Sequence, residues 1–277
     1  MKTLLKSATD CLAHISQTPL LDAEILLSHA LQKPRVFLHT WPCYVVDDAT
    51  EQKFFELIEK RRAGWPVAYL TGIQSFWSLD LTVNPDTLIP RPETERLVEL
   101  ALARLNKNTS YQIADLGTGS GAIGLALAKE RPESQIFATD ISEAALAVAK
   151  QNAKQLDIKN IQFFNGSWCE ALPRQRYDLI VSNPPYVASH ETALLSPETR
   201  FEPSIALFSE KDGLKDIDHI LKQAPLYLKP DGCILIEHGF LQGESVRSLF
   251  KRAGFNSVFT ERDYNGHERV TGGINKS

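Results

Sequence analysis

The chain lacks the residues and patterns that several common protein classes require. Its four cysteines, Cys11, Cys43, Cys169 and Cys233, stand far apart with no C-x-x-C pair. Its seven histidines form neither H-x-x-x-H nor H-E-x-x-H. A disulfide framework or a structural zinc is therefore not expected, and no metal site is assigned. No apolar run approaches the roughly 18 residues of a membrane span. Asp10 and His14 interrupt any signal-peptide core behind Lys2 and Lys6. The expectation is a reduced, soluble, cytoplasmic protein without a membrane partner. A basic surplus is also missing: 30 Lys and Arg face 34 Asp and Glu, a net charge of −4. The first 75 residues carry eight of each sign and the remainder 22 against 26. Neither part looks like a general nucleic-acid clamp, so no direct nucleic-acid contact is expected. Internal repeats and low-complexity segments are absent as well.

What is present is an ordinary globular composition, 43% hydrophobic and 23% charged, over 277 residues. That length suits two domains better than one core. Residues 1–75 read as a small helical bundle. Leu20, Ala23, Leu27, Ala30 and Leu31 recur at three- and four-residue steps on one helical face. A second helix begins near Asp48 or Thr50, buries Phe54, Leu57 and Ile58, and ends in Lys60-Arg61-Arg62 before Gly64 and Pro66. Between Ser75 and Val83 the pattern shifts to alternation, with Leu79, Leu81 and Val83 separated by Asp80 and Thr82. Asn84-Pro85-Asp86 is a turn signal, Pro90 and Pro92 stiffen the segment after it, and residues 76–92 are expected as a hairpin linker between the two domains. From 93 to 277 helices and strands alternate. The strands expected are Tyr111–Asp115, Gln135–Asp140, Ile161–Phe164, Tyr177–Ser182, Cys233–Glu237, Ser257–Thr260 and Arg269–Gly272. This α/β pattern predicts a Rossmann-like, mostly parallel sheet with helices on both faces.

The first strand of this region leads into Asp115-Leu116-Gly117-Thr118-Gly119-Ser120-Gly121. Glycines allow a tight turn and let a ligand approach the backbone at the carboxyl edge of the sheet. Asp140 ends the next strand, 25 residues after Asp115, where a carboxylate can accept from both hydroxyls of an adenosine ribose. Gly119-x-Gly121-x-x-Gly124 also satisfies the dinucleotide fingerprint, so a nicotinamide-dependent dehydrogenase is an alternative at this point, as is a structural turn with a capping aspartate. The acidic residue ahead of the glycines favours S-adenosylmethionine over a pyrophosphate.

Asn183-Pro184-Pro185-Tyr186 follows strand Tyr177–Ser182. Pro184 holds Asn183 extended, and the two prolines remove two N–H donors. The segment thus presents acceptors, the Asn183 side-chain oxygen and backbone carbonyls, next to the flat face of Tyr186. An NH2 group on a planar conjugated system needs this arrangement. Its lone pair is delocalised, and two acceptors can hold its two N–H bonds while positive charge develops on nitrogen. The chemistry implied is in-line methyl transfer without a strong general base. A dehydrogenase leaves this segment unexplained, and a non-catalytic nucleotide-binding adaptor has no use for it.

With these motifs in place the chain resembles the release factor N5-glutamine methyltransferases, the HemK/PrmC family of class I S-adenosylmethionine-dependent enzymes. The matching stretches run through nearly the whole chain. They include Leu21–Leu27, Pro66–Gly72, Phe76-Trp77, Ile89-Pro90-Arg91-Pro92-Glu93-Thr94-Glu95, the glycine loop, Asn183–Tyr186, Arg200-Phe201-Glu202-Pro203 and Glu237-His238-Gly239. The Asn-Pro-Pro-Tyr motif is shared with adenine-N6 and guanine-N2 methyltransferases, so a methyltransferase acting on a flipped-out nucleic-acid amine is the alternative. The proline-arginine segment joined to a helical domain is more specific. The resemblance implies that Gly117, Thr118, Gly119, Ser120, Gly121, Asp140, Trp168 and Asn183 contact S-adenosyl-L-methionine, with S-adenosyl-L-homocysteine as product. It implies that Asn183, Pro184, Pro185 and Tyr186 grip the glutamine of the Gly-Gly-Gln loop of class I peptide chain release factors, with Asn183, Pro184 and Tyr186 carrying the catalysis. The helical domain would help dock the factor, and a monomer is expected. Family members often carry an acidic residue just before the tryptophan, whereas here Ser167 precedes Trp168. Arg91 reads equally as a pocket-closing residue or a structural ion pair, Glu95 carries a weak signal, and His238 reads as a satisfied buried histidine without a role.

Overall fold

A computed structural model describes residues 1–188, 190–191 and 195–276. The contact pattern separates two units: Met1–Ile73 together with Ser196–Phe201, and the rest of the chain.

The first unit is helical: α1 Lys2–Leu12, α2 Pro19–Leu31, α3 Arg35–Thr40, α4 Asp48–Arg62 and α5 Val67–Thr71. Pro19 opens α2 at a position where its missing N–H costs nothing. Asp47 caps α4 by accepting from the Thr50 N–H at 3.0 Å. The core joins Ala8 and Leu12 of α1 to Ala23, Leu26, Leu27 and Ala30 of α2 and to Phe54, Leu57 and Ile58 of α4. Leu20, expected on the same face, is half exposed because it sits in the first turn, before the packed stretch begins. Arg61 does more than complement the α4 dipole. It is buried, its Nε donates to Asp22 at 2.7 Å, its Nη1 to the Trp65 carbonyl at 3.2 Å and its Nη2 to Glu198 at 2.6 Å. Glu198 and Phe201 come from a short 3-10 helix, Pro197–Phe201, and Phe201 lies against the Trp65 ring at 4.6 Å between centroids.

A two-stranded hairpin follows, β1 Ile73–Phe76 and β2 Leu79–Thr82, all of it but Ile73 in the second unit. A 3-10 turn, Pro92–Thr94, then leads into α6 Glu95–Leu102. The alternating region follows as β3 Gln112–Leu116, α7 Ala122–Glu130, β4 Gln135–Asp140, α8 Glu143–Gln155, β5 Ile161–Asn165 and β6 Tyr177–Ser182. It continues as α9 Glu210–Gly213, α10 Lys215–Tyr227, β7 Leu228–Glu237, α11 Gly243–Arg252, β8 Asn256–Arg262 and β9 Glu268–Ile274. The seven strands β3–β9 form one sheet in the order β5-β4-β3-β6-β7-β9-β8. The first five are parallel, and β9 enters antiparallel to both β7 and β8. Buried cores cover both faces: α6 and α7 side chains on one, α10 and α11 side chains on the other.

The expected α/β sheet with a preceding helical bundle and hairpin is what forms. Strands β3 and β6, buried along nearly their whole length, occupy its centre. From β3 the chain winds outward to β4 and β5, then returns to β6 on the other side. The crevice at this reversal lies between the carboxyl ends of β3 and β6, where such sheets hold ligands.

Candidate active site

Both sequence motifs leave from that crevice. Leu116 and Ser182 pair in register, and the Ser182 hydroxyl donates to the Leu116 carbonyl at 2.8 Å. The glycine loop and Asn183 therefore emerge side by side. The loop is bound to β4 next door, where the Gly117 and Thr118 N–H groups both donate to the Thr139 carbonyl at 2.9 Å. Asp140, one residue on, accepts from the Gly119 N–H at 2.8 Å through Oδ2 and from the Ser142 N–H at 2.9 Å through Oδ1.

Asp115 lies beneath the loop and is fully buried. Its Oδ2 accepts from the Thr118 hydroxyl at 2.6 Å and the Gly124 N–H at 2.9 Å, while Oδ1 has no partner. A Cβ on Gly124 would lie 2.9 Å from that carboxylate, so only glycine lets α7 bring its first turn this close. Burial, with a smaller push from Asp140, raises the Asp115 carboxyl to about 6. Burial also raises Asp140 above the usual carboxylate range, against the pull of its backbone hydrogen bonds. Trp168 stands opposite Gly117, in the left-handed region at φ +43°. Its carbonyl accepts from the Thr139 hydroxyl at 3.2 Å.

At the end of β6 the Asn183 amide donates through Nδ2 to the Thr94 hydroxyl at 3.1 Å. The partly exposed Tyr186 sends its hydroxyl inward to Glu237 Oε1 at 3.4 Å. Its carbonyl accepts from Gln242 Nε2 at 2.9 Å, and Gln242 Oε1 accepts from the Gly239 N–H at 2.8 Å. Glu237 is fully buried at the end of β7, with Oε2 unpartnered. Burial lifts its carboxyl to about 7, with the Thr94 hydroxyl and the Arg269 charge pulling the other way. Burial and the Glu237 charge together raise the Tyr186 phenol, which stays protonated.

A cavity of about 280 Å³ lies between the glycine loop, Asp140 and Asn183. Of the residues singled out from sequence, Gly117, Gly119, Asp140, Ser167, Trp168, Asn183 and Pro185 line it. Thr118, Ser120 and Gly121 shape the loop instead. Thr118 is buried on Asp115, the Ser120 carbonyl accepts from Asn152 at 2.9 Å, and Gly121 opens α7. Pro184 is buried, and Tyr186 borders Glu237. The far wall comes from Asp86, Thr87 and Leu88 and from Pro203, Ile205, Ala206, Phe208 and Asp216. Sequence reasoning assigned none of these to the site, although Asp86 stands in the expected turn and Pro203 in a matching stretch. Thr94 and Glu237 were visible only as members of matching stretches, because nothing in their local spacing shows that they meet Asn183 and Tyr186.

Three weaker candidates are also placed. Arg91 pairs with the buried Glu202 through Nη2 at 2.6 and 2.8 Å. Glu95 accepts from the Trp77 N–H at 2.7 Å, a structural contact. His238 is buried, with Nε2 at 2.8 Å from the Thr271 hydroxyl and Nδ1 at 2.9 Å from the Gly239 carbonyl, and burial lowers its proton affinity. It is the satisfied core histidine expected. Among the described residues no group of three or more His, Cys, Asp or Glu is placed to hold a metal ion, and no helix is long and apolar enough to cross a membrane.

Two family models match the chain: the PrmC N-terminal domain over residues 3–72 and the methyltransferase small domain over residues 95–201. A release factor glutamine methyltransferase of Salmonella typhimurium is 47% identical over 93% of this chain and 93% of its own. One from Vibrio cholerae is 46% identical over 100% of this chain and 97% of its own. Among solved structures, a methyltransferase from Pyrococcus furiosus shares the fold at a TM-score of 0.55 and 15% identity, covering 80% of this chain and 98% of its own. With relatives this similar across both the helical and the sheet unit, and with an acceptor motif and a glycine loop sharing one crevice, the chain belongs to the release factor glutamine methyltransferase family, a class I S-adenosylmethionine-dependent group of enzymes.

Proposed function

We propose that this protein transfers a methyl group to the side-chain amide nitrogen, N5, of the glutamine in the Gly-Gly-Gln motif of class I peptide chain release factors. The observation that carries the reading is Asn183. Its Nδ2 is committed to Thr94, its Oδ1 remains available as an acceptor, and it lines the same cavity as Asp140 and the glycine loop. Family membership supplies the substrate.

The residues present fit S-adenosyl-L-methionine. Asp115 Oδ1 is a buried, unpartnered acceptor beneath the loop, suited to a cationic amino-acid end. Asp140 lines the cavity as an acceptor for ribose hydroxyls, and Trp168 with Ser167 forms a wall for the adenine. Gly117, Thr118, Gly119, Ser120 and Gly121 provide a backbone that a ligand can approach closely. When bound, the cofactor supplies an electrophilic methyl on a sulfonium.

The rest of the chemistry falls to the protein's own residues. Asn183 Oδ1 and the carbonyls of the proline pair accept from the two amide N–H bonds and hold the nitrogen in line. They also oppose the positive charge that develops there. Tyr186 packs against the amide plane. Neither Tyr186, with its raised proton affinity, nor the buried His238 is suited to act as a strong base, so proton loss accompanies or follows transfer. The helical unit is proposed as the docking domain for the factor, and the protein as a cytoplasmic monomer.

The test is peptide mass spectrometry of purified release factor after incubation with the protein and S-adenosylmethionine. One added methyl on the Gly-Gly-Gln glutamine establishes the reading. Methylation of a nucleic-acid amine instead, with strong salt dependence of binding, replaces it.

A further inference from the structure

Helix α8 turns one face toward the glycine loop. Ala145, Ala149 and Asn152 stand at four- and three-residue steps, so they share that face. Ala145 lines the cavity, and Ala149 packs so near Gly121 that a Cβ built there would lie 3.3 Å from its own. Asn152 is the polar member of the row and is buried. Its Oδ1 accepts from the Thr82 N–H at 2.8 Å, and its Nδ2 donates to the Thr82 carbonyl at 3.0 Å and the Ser120 carbonyl at 2.9 Å. Both amide hydrogens are used, which fixes the orientation of the amide. The two anchored stretches both run into the cavity. Gly119, next to Ser120, lines it. Thr82 ends β2, and the turn after it, closed by the Thr87 N–H on the Asn84 carbonyl at 3.0 Å, carries the lining residues Asp86, Thr87 and Leu88.

We infer that Asn152 is a positioning residue for the cofactor, a clamp on Thr82 and Ser120 that sets the spacing between the glycine loop and the Asp86–Leu88 wall. The inference rests on the cofactor site proposed above. The hairpin that carries Thr82 is not part of the seven-stranded sheet, so side chains must hold it in place. Glu130 and Lys129 of α7 bind its tip at Trp77 and Ser78, and Asn152 binds its exit. The Thr82 hydroxyl also donates to Gln155 at 3.0 Å, but that bond is exposed and water can replace it. Without the Asn152 amide, the backbone groups it binds lose their partner and the exit is free to move away from the loop. Asn183 is held separately, by Thr94 and by the bond of Ser182 to Leu116. The clamp therefore governs cofactor binding rather than the transfer step. Its signature is a higher Kd and KM for the cofactor with kcat preserved at saturation. By reciprocity, bound cofactor must steady the clamp.

The same sheet supplies a control. Asn160, just before β5, donates through Nδ2 to the Ala128 and Ser134 carbonyls, both at 3.0 Å, and none of these three residues lines the cavity. The experiment compares full-length Asn152→Asp and Asn160→Asp with the native protein. It reads melting temperature, calorimetric Kd for S-adenosyl-L-homocysteine, and KM and kcat for S-adenosylmethionine with purified release factor. Aspartate matches asparagine in shape, keeps an acceptor for the Thr82 N–H and loses both donors. Asn152→Asp should raise Kd and KM about tenfold or more while kcat at saturating cofactor stays within about twofold. Asn160→Asp should lower the melting temperature and leave Kd and KM at their native values. An unchanged Kd in Asn152→Asp, an equal rise in both variants, or a loss confined to kcat overturns the clamp, while S-adenosyl-L-homocysteine binding to the native protein still upholds the cofactor site. No binding to the native protein removes both. Should Asn152→Asp fail to fold, amide hydrogen exchange of the native protein decides. S-adenosyl-L-homocysteine should slow exchange at the Thr82 N–H, and an unchanged rate there overturns the clamp.

Discussion

Arg91 Nη2 donates to both carboxylate oxygens of Glu202, at 2.6 and 2.8 Å, and the Glu202 side chain is wholly buried. The pair joins two stretches that sequence keeps 111 residues apart. Arg91 begins the turn that carries Thr94, shortly after cavity residues Asp86, Thr87 and Leu88. Glu202 precedes the Pro203, Ile205, Ala206 and Phe208 wall. Two irregular segments that line the cavity are thereby tied together.

Arg91→Leu should therefore weaken both order and binding. Removing a charge partner from a buried carboxylate costs about 1–3 kcal/mol when that partner is itself partly exposed, as Arg91 is. A melting temperature lower by several degrees is expected. Calorimetric titration with S-adenosylmethionine should show weaker binding in the same variant. Equal melting and equal affinity would assign the pair no work in shaping the cavity.

Gly117→Ala tests the loop from the opposite side. At φ +71° a Cβ is strained in any environment, and here it would sit 3.0 Å from Cζ3 of Trp168. The left-handed conformation alone costs roughly 1–2 kcal/mol, and Trp168 would also have to shift off the proposed adenine wall. Cofactor affinity should fall at least about tenfold, read by titration calorimetry or by tryptophan fluorescence. Unchanged affinity would remove Trp168 from the binding wall.

Much of this architecture is legible in the sequence. Strands β4 and β6 have the bounds that the sequence pattern predicts. The glycine loop and Asn183–Tyr186 could be recognised because backbone constraints write themselves into residue type: glycine for close approach, proline for extension and donor removal. Thr94, Glu237 and the far wall could not. Their roles depend on tertiary proximity between residues such as Thr94 and Asn183, 89 positions apart. Arg61 shows the same limit. Its place in a basic helix end shows only a charge that suits the helix dipole, while the fold buries it against Asp22 and Glu198. The grouping of Ser196–Phe201 with the helices likewise has no local sequence signal.

Arg61→Leu should accordingly be among the most damaging single changes in the helical unit. Asp22, nearly fully buried, would lose its cation, and breaking such a pair from one side costs about 3–5 kcal/mol. Replacing both partners, as Arg61→Leu with Asp22→Leu, should recover part of that loss because no buried charge is then left uncompensated. Denaturant unfolding of the two variants checks the order. A double variant no better than the single one would show that Arg61 acts mainly through Glu198 and the Trp65 carbonyl.

Asp115 supplies a prediction in which binding and stability respond to pH with opposite signs. Its carboxyl titrates at about 6 in the folded protein, raised from 3.8 mainly by burial. The proposed contact with a cationic amino-acid end needs the ionised form. S-adenosylmethionine affinity should hold above about pH 6 and fall as pH drops through that value, by at most about tenfold per unit for a single group. The unliganded protein should behave in the reverse sense. A carboxyl with a raised folded-state pKa binds its proton more tightly when folded. Its stabilising contribution is full below the unfolded value near 4 and is lost as pH rises through about 6. Asp115→Asn should flatten both profiles between pH 4 and 6 and weaken cofactor binding at neutral pH. Calorimetric titration and thermal melting across that range, native against variant, check the two signs independently. A native affinity that stays level from pH 7 to 5 would place the cofactor's cationic end away from Asp115.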